Sequence, residues 1–291
     1  MRHRLLLLLT GLGAVALVSA LAGCESSFDP FEESGVAFSI FGYVDVAADT
    51  QFVRVSALRE SAYEDAPVEA VVTLEDLTRG RTAMLRDSVV QFGNGAVVHN
   101  FWTAEAVAPG TAYRLTATAP DGATATAAFS TPPQFPNPSL ESGITIYSSP
   151  EFPPMAQAVF FRGIEKFADL RVTYVLEEPR TTVVISYVDR ILRSGEDTHS
   201  VSFSAYEDVQ RALSGAPGAL CPRLRSAEIF VAAATEAWPE LGSLDRETRA
   251  LPATASNVEG GLGFVGGVIT RSRVWEGMNG VFSLHWQGCQ R

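Results

Sequence analysis

The stretch Pro109-Gly110-Thr111-Ala112-Tyr113-Arg114-Leu115 decides the fold of the first half of this chain. Pro-Gly is typical of a tight turn, and the residues after it alternate in character as a β-strand does. A tyrosine that opens a strand directly after a turn can hydrogen-bond through its hydroxyl to nearby backbone. We therefore expect the Tyr113 hydroxyl to fix this turn.

Short β-rich segments surround this stretch at regular spacing, and turn sequences such as Asn94-Gly95 and Asp121-Gly122 separate them. Many short strands with turns between them are typical of a β-sandwich. We predict one over residues 36–131, with strands at residues 36–46, 52–58, 68–77, 81–90, 96–102, 112–118 and 124–130.

Two local patterns resemble known sandwich families. The turn with Tyr113 resembles the tyrosine corner of immunoglobulin-like and fibronectin-like domains. Residues 67–74, Pro-Val-Glu-Ala-Val-Val-Thr-Leu, resemble a strand of transthyretin-like and carboxypeptidase-regulatory-like modules. The sequence does not separate these topologies.

A proline-rich connector is predicted at residues 132–139, because four prolines between residues 131 and 138 remove hydrogen-bond donors. Residues 140–291 are predicted to form a second β-rich domain with one or two short helices, at residues 205–213 and 238–250. The chain is thus predicted to be mainly β. Strand candidates of the second half are residues 144–147, 156–161, 170–176, 182–188, 200–203, 227–233, 267–275 and 281–286.

The N-terminus has the pattern of an export signal: Arg2 and Arg4, an apolar run over residues 5–21, then Leu21-Ala22-Gly23-Cys24. That ending resembles a bacterial lipobox, which implies cleavage before Cys24 and lipidation of its thiol. We expect a signal peptide over residues 1–23 and a tether over residues 24–35. An ordinary signal peptide, or a single membrane anchor, is the alternative interpretation.

The predicted location is the outer membrane, on its periplasmic or cell-surface face. No further run of about 18 apolar residues follows the signal, so lipid is the only expected anchor. The resemblance to lipoproteins also implies outer-membrane sorting, since Glu25 stands where an aspartate often marks retention in the inner membrane.

Charge excludes nucleic acid as a partner, because the formal net charge is −11 and phosphate contacts need a basic face.

Cysteine use agrees with export: Cys221 and Cys289, the two that remain beside Cys24, are expected to form a disulfide. The two cysteines are 68 residues apart. In the chain-entropy model, a disulfide that closes a loop of that length stabilises the fold by roughly 4 kcal/mol. A redox pair is the alternative, although such pairs normally lie close in sequence.

The sequence contains neither a P-loop, a Gly-x-Ser-x-Gly elbow nor a His-Glu-x-x-His motif. His99, His199 and His285 each stand alone in sequence. His199, after Glu196-Asp197-Thr198, is the best metal or acid–base candidate, but a solvated hairpin turn is the favoured interpretation. We predict no catalytic residue, no cofactor and no metal, although a Ser-His-Asp site assembled from distant positions stays open.

A glycine-rich stretch, residues 260–267, matches Gly-x-Gly-x-x-Gly at Gly261, Gly263 and Gly266. A dinucleotide site needs a following helix and an acid about 20 residues on, and too little chain remains for that unit. We expect these glycines to allow positive φ and close packing as they lead into a strand.

The run Asn257-x-x-Gly260-Gly261-x-Gly263 resembles the C-terminal signature of an uncharacterised family of Gram-negative envelope lipoproteins. Val265 stands where an aromatic residue is common in that family. The resemblance implies a lipid anchor, an immunoglobulin-like N-terminal half and, as a partner, a TonB-dependent outer-membrane receptor, since such receptors are often encoded alongside. It supplies no catalytic residues.

Two functions from different classes follow. The first is a non-enzymatic binding or accessory module on the envelope, which fits the tether, the β-rich halves and the lack of catalytic motifs. The second is an envelope hydrolase with a scattered site, which requires His199 or His285 in a pocket with an acid in hydrogen-bond reach. A purely structural envelope protein is a third interpretation.

Overall fold

A computed structural model describes residues 36–57, 68–91, 93, 97–140, 156–214, 222–239, 255–274 and 282–283. The described residues from Ala37 onward belong to one compact unit. The protein is mainly β, as predicted.

Eighteen strands and one α-helix occur in these ranges. The strands of the first half are β1 (Phe38–Asp45), β2 (Gln51–Ala57), β3 (Val71–Asp76), β4 (Arg81–Met84), β5 (Arg86–Gln91), β6 (Val97–Thr103), β7 (Ala112–Thr118) and β8 (Thr124–Ser130). Those that follow are β9 (Ser139–Leu140), β10 (Ala156–Arg162), β11 (Lys166–Glu178), β12 (Thr181–Ser186), β13 (Leu192–Arg193), β14 (Thr198–Ser204), β15 (Arg223–Ala234), β16 (Val258–Glu259), β17 (Gly261–Val274) and β18 (Phe282–Ser283). The helix α1 covers Ala205–Leu213, as predicted, and a 3₁₀ turn covers Val188–Arg190.

The first half is a β-sandwich with the immunoglobulin strand order. One sheet runs β1-β2-β6-β5 and the other runs β8-β7-β3-β4. Lettered A to G in chain order, with β4 as C′, these are the sheets A-B-E-D and G-F-C-C′ of immunoglobulin domains. Strand order thus settles the topology, which the sequence left open.

The tyrosine corner is confirmed. Tyr113 is only 3% exposed, and its hydroxyl accepts the Ala108 N–H at 2.8 Å. Tyr113 lies near the start of β7, the F strand, which is where immunoglobulin-like domains place this residue. The bond ties the end of the preceding loop to the strand that it enters.

One predicted strand is wrong in its continuity. Residues 81–90 were predicted as a single strand, but the chain leaves one sheet after Met84 and joins the other at Arg86. Leu85 between them is buried, and its N–H donates to the Val72 carbonyl at 2.8 Å. The crossing keeps an apolar side chain in the core, so the hydropathy pattern alone does not reveal it.

The two predicted halves share one sheet. The first part of β17 pairs in parallel with β1, from Phe38↔Gly261 to Asp45↔Val268, and its second part pairs antiparallel with β15. The continuous order is β12-β11-β15-β17-β1-β2-β6-β5. The second half has its own core, in which β10, β14 and α1 pack with β11 and β15. Two of its residues, Val258 and Val265, nevertheless belong to the core of the first sandwich. The division at residues 132–139 therefore does not separate the sheets.

Asp45 holds the junction where β17 passes from β1 to β15. Its carboxylate accepts the Thr270 N–H at 3.1 Å and the Thr270 hydroxyl at 2.5 Å. Its own N–H donates to the side-chain carbonyl of buried Gln51 at 2.7 Å. These bonds satisfy polar groups that would otherwise be buried without partners.

The glycine-rich stretch is strand, and the strand begins earlier than predicted, at Gly261 rather than near residue 267. Gly263 has φ +117°, and a side chain there would overlap the Ile40 carbonyl of β1. Positive φ and close backbone approach, both expected from the sequence, are thus confirmed at Gly263.

Candidate binding surface

A row of aromatic side chains crosses the outer face of the first sandwich. Cross-strand pairing places Phe52 opposite Trp102, and Tyr43 opposite Phe52. The row therefore runs at right angles to the strands, from β6 through β2 to β1. We call Trp102, Phe52 and Tyr43 the aromatic row.

Strand alternation explains why these rings face outward. On β2, Gln51, Val53 and Val55 are buried, while Phe52, between the first two, is 52% exposed. On β1, Ile40 and Val44 are buried, and Tyr43 is 54% exposed. Successive side chains of a strand point to opposite faces, so the core is complete without these rings.

The row continues at both ends. Arg86 of β5 pairs with Trp102, and its guanidinium carbon lies 5.4 Å from the indole ring centre, within the range of a cation–π contact. At the other end Tyr43 pairs with Gly266 of β17. A Cβ at Gly266 would come within 2.8 Å of the Trp238 ring, which shows that this indole lies directly over the glycine.

A second row is only half aromatic. Phe41, 51% exposed, pairs with Phe264, whose ring lies 5.4 Å from that of Trp238 in an edge-to-face contact. Toward β5 the same row is polar, with Arg54 opposite Phe41 and Asn100 opposite Arg54. The aromatic surface is therefore a strip with hydrogen-bonding groups along one side.

Sequence reasoning missed this surface. The sequence does contain the pattern. Phe41 and Tyr43 occupy alternate positions of β1, and Phe52 and Arg54 occupy alternate positions of β2. In each strand these positions fall between buried residues and so belong to the opposite face. Apolar residues on both faces of a strand usually mean burial on both faces. Only the folded structure shows that Phe41, Tyr43 and Phe52 are exposed on this face.

The lipidation and disulfide predictions fall outside the described residues, since Cys24, Cys221 and Cys289 all lie there. One described contact bears on the cysteine pair. β18 pairs with β15 through Arg223↔Ser283. Ser283 precedes Cys289 by six residues, and Arg223 follows Cys221 by two. The disulfide stays a prediction.

The prediction that His199 lies in a solvated hairpin turn is wrong. It is the second residue of β14, half-buried, with its ring 5.2 Å from that of Phe167. Desolvation, followed by the nearby Arg193 guanidinium, lowers the pKa of His199. Its Nδ1 atom is buried without a hydrogen-bond partner, and among the described residues no group of three His, Cys, Asp or Glu could hold a metal ion. The other enzyme candidate, His285, lies outside the described residues.

His99 forms a pair that the sequence did not suggest. Its Nδ1 lies 2.8 Å from a carboxylate oxygen of Asp87 on the neighbouring strand β5. His99 is only 8% exposed and lies on the inner face of β6, on the same side as buried Phe101. Ser88, the serine next to Asp87, points to the opposite face of the sheet. The pair therefore links two strands, and Ser88 does not share its face of the sheet.

A buried acid on α1 organises the second core. Asp208 is 2% exposed and accepts the Tyr174 hydroxyl at 2.6 Å and the Tyr187 hydroxyl as well. Burial, together with the Asp208 charge, raises the pKa of both tyrosines, which keeps their hydroxyls protonated as donors. Arg190 lies 3.9 Å from the same carboxylate. The cluster ties α1 to the sheet below it.

The described part of the chain includes no helix with the length and apolar character that crossing a membrane requires.

Comparisons with known proteins give distant structural likenesses. No family model matches the chain, and no curated protein matches it. Among solved structures, chicken CNTN1 FN1-FN3 domains align with 12% identity and a TM-score of 0.29, over 81% of this chain and 62% of that one. Pullulanase from Anoxybacillus sp. LM18-11 aligns with 10% identity and a TM-score of 0.22, over 66% of this chain and 24% of that one. The same enzyme complexed with maltotriose aligns with 8% identity and a TM-score of 0.22, over 70% and 26% of the two chains. This chain thus spans about a quarter of the pullulanase, and scores this low carry no argument about fold or function.

Proposed function

We propose that this chain is a lipid-anchored protein of the outer membrane that acts as a non-enzymatic binding module. The observation that carries the proposal is the exposed aromatic row on the immunoglobulin-like sandwich. Phe52 and Tyr43 are each more than half exposed, and they stand in register with half-buried Trp102 across three strands. Clusters of exposed apolar residues on a domain surface mark interaction sites. Aromatic residues and arginine are also the residues that dominate binding energies at interfaces.

The anchor part of the proposal is supported by the sequence Leu21-Ala22-Gly23-Cys24 after an apolar run. Acyl chains on Cys24 would hold the protein at a bilayer, and the tether of residues 24–35 would set the sandwich off from it. Replacing Cys24 with serine should leave the precursor unprocessed or release the protein to the soluble fraction. Normal processing and full membrane retention of Cys24→Ser would contradict the anchor.

The binding part is tested by capture from native membranes. The lipidated protein is cross-linked in cells, purified, and its companions are identified by protein mass spectrometry and by sugar analysis. A Tyr43→Ser/Phe52→Ser variant disrupts the row at exposed positions. The control is Val71→Ser/Met84→Ser, which changes two exposed apolar residues on the other sheet of the same sandwich.

The two variants should behave differently. The row variant should lose companions that the wild type and the control retain. The partner that the family resemblance implies, a TonB-dependent outer-membrane receptor, should be among the proteins captured with the wild type, and its capture need not depend on the row. Equal capture of every companion, protein or sugar, by both variants would contradict binding at the aromatic row.

A further inference from the structure

The ligand of the aromatic row can be narrowed by the shape of the row, and this step rests on the binding function proposed above. Cross-strand pairing places Trp102, Phe52 and Tyr43 side by side on three neighbouring strands. Strands in a sheet lie about 4.8 Å apart, so the line from β5 to β17 is about 19 Å long. A row of this length, widened at its β1 end by Phe41, fits a linear ligand better than a compact one.

The size of the face argues against a globular protein as its occupant. Three outward residues along a strand cover about 14 Å, so the face measures about 19 by 14 Å. A standard protein–protein interface buries about 800 Å² on each partner and surrounds an apolar centre with a polar rim. Here the apolar part is a strip, with Arg54 and Asn100 directly beside it.

An extended peptide also fits poorly. Peptides that bind sheets usually add a strand to an edge and pair through backbone hydrogen bonds. The aromatic row crosses the strands instead, and β6, β2 and β1 are paired on both sides within the sheet. A peptide lying along the row would leave its own backbone groups unpaired by the sheet.

Charge disfavours polyanionic chains. The protein carries a formal net charge of −11, and the field of such a molecule repels a polyanion. One of the two arginines on the face, Arg86, is engaged with the Trp102 ring. The remaining one, Arg54, offers guanidinium donors that suit neutral hydroxyl groups as well as anions.

We infer that the aromatic row binds an uncharged polysaccharide. Sugar rings present C–H faces that pack on the electron-rich faces of aromatic side chains, and hydroxyl edges that need hydrogen-bond partners. Trp102, Phe52 and Tyr43 supply the faces. Arg54 and Asn100 lie in the next row, where they reach hydroxyl edges of a chain lying along the rings.

The test is affinity electrophoresis of the purified full chain in native gels containing a neutral polysaccharide. Separate gels contain soluble starch, hydroxyethylcellulose, galactomannan or dextran, and one contains the polyanion alginate. We expect retardation in at least one neutral gel and none in alginate. Tyr43→Ala and Phe52→Ala should weaken binding about tenfold or more, as loss of a central aromatic contact does. Val71→Ala and Met84→Ala should migrate as the wild type.

A second readout guards against variants that fold poorly. Tryptophan emission of the wild type should shift when the retarding polysaccharide is added, because Trp102 lies in the row. Conservative Phe52→Tyr should keep the retardation that Phe52→Ala loses.

Migration unaffected by all four neutral polysaccharides, retardation that the row variants share with the wild type, or binding to alginate alone would overturn the inference. The experiments distinguish a failure of this inference from a failure of the proposed binding function. If no polysaccharide binds while capture from membranes still depends on Tyr43 and Phe52, the site is real and its ligand is not a neutral glycan.

Discussion

Asn257 and Val265 are joined by two hydrogen bonds: the Asn257 side-chain carbonyl accepts the Val265 N–H at 2.9 Å, and its amide donates to the Val265 carbonyl at 2.7 Å. The same amide reaches the Ala128 carbonyl at 3.3 Å. The asparagine thus holds β17 against β8. The run Asn257-x-x-Gly260-Gly261-x-Gly263 is a structural element of the sandwich, and it needs no nucleotide to explain its residue types.

Asn257→Ala should lower the free energy of unfolding by about 1–3 kcal/mol, because it leaves buried or half-buried backbone groups of Val265 without their partner. Urea denaturation of the purified protein measures this. Asn257→Asp keeps an acceptor for the Val265 N–H but puts a carboxylate against the Val265 carbonyl, so it should not rescue stability. A loss below about 0.5 kcal/mol for both variants would contradict the clamp.

Gly263→Ala should be the most damaging single change in the glycine-rich stretch. The residue has φ +117°, and a Cβ there overlaps the Ile40 carbonyl of β1. Gly122→Ala is the matched control, because Gly122 has φ +90° with open space around it. The control should cost about 1–3 kcal/mol from the backbone alone, and Gly263→Ala should cost clearly more in the same denaturation experiment. Equal losses would show that β17 and β1 do not approach as described.

Much of the local structure could be predicted because it depends on local chemistry. The Pro109-Gly110 turn, Tyr113 and the alternation after it are contained in a few residues, and β7, β8 and α1 have the predicted bounds. The start of α1 also depends on residues close in sequence, since the Ser204 side chain is its N-cap and accepts the Glu207 N–H.

What could not be predicted depends on pairing between distant segments. Nothing in residues 36–46 indicates that β1 pairs with a strand more than 200 residues later, and the aromatic row exists only because β6, β2 and β1 are neighbours. The break at Leu85 is similar, because the apolar pattern is the same whether the chain stays in one sheet or crosses to the other. The predicted helix at residues 238–250 stays a prediction, because residues 240–250 lie outside the described residues; at its first residue, the Trp238 N–H closes a turn onto the Thr235 carbonyl.

Removal of one hydroxyl tests the tyrosine corner. Tyr113→Phe keeps the ring but leaves the Ala108 N–H without the acceptor that it meets at 2.8 Å. The free energy of unfolding should fall by about 1–3 kcal/mol. Tyr43→Phe removes a hydroxyl from an exposed ring of the same sandwich and should change stability by less than about 0.5 kcal/mol. Equal effects of the two substitutions would contradict a special role for the corner.

His199 should make stability depend on pH. Its pKa is lowered in the folded protein, first by desolvation and then by Arg193. Below about pH 6.5, the ordinary histidine value, the unfolded chain therefore binds the proton more readily than the folded one. This contribution is absent well above pH 6.5 and destabilises the fold increasingly as pH falls toward the lowered value.

The measurement compares urea denaturation of the wild type and His199→Gln at about pH 7.5 and about pH 5.5. The wild type should lose more stability than the variant between these two conditions. A wild type that loses no more than His199→Gln, or that gains stability relative to it on acidification, would contradict the environment described for this ring.

The central claim, that the aromatic row of a membrane-tethered sandwich is occupied in the cell envelope, is tested most directly by site-specific photo-crosslinking in intact cells. A benzophenone amino acid is placed at position 43 in the row, or at position 71 on the other sheet as the control. Position 43 should give adducts of higher mass that disappear when Cys24→Ser is added, and position 71 should give none. The absence of adducts at position 43, or equal adducts at both positions, would contradict the account.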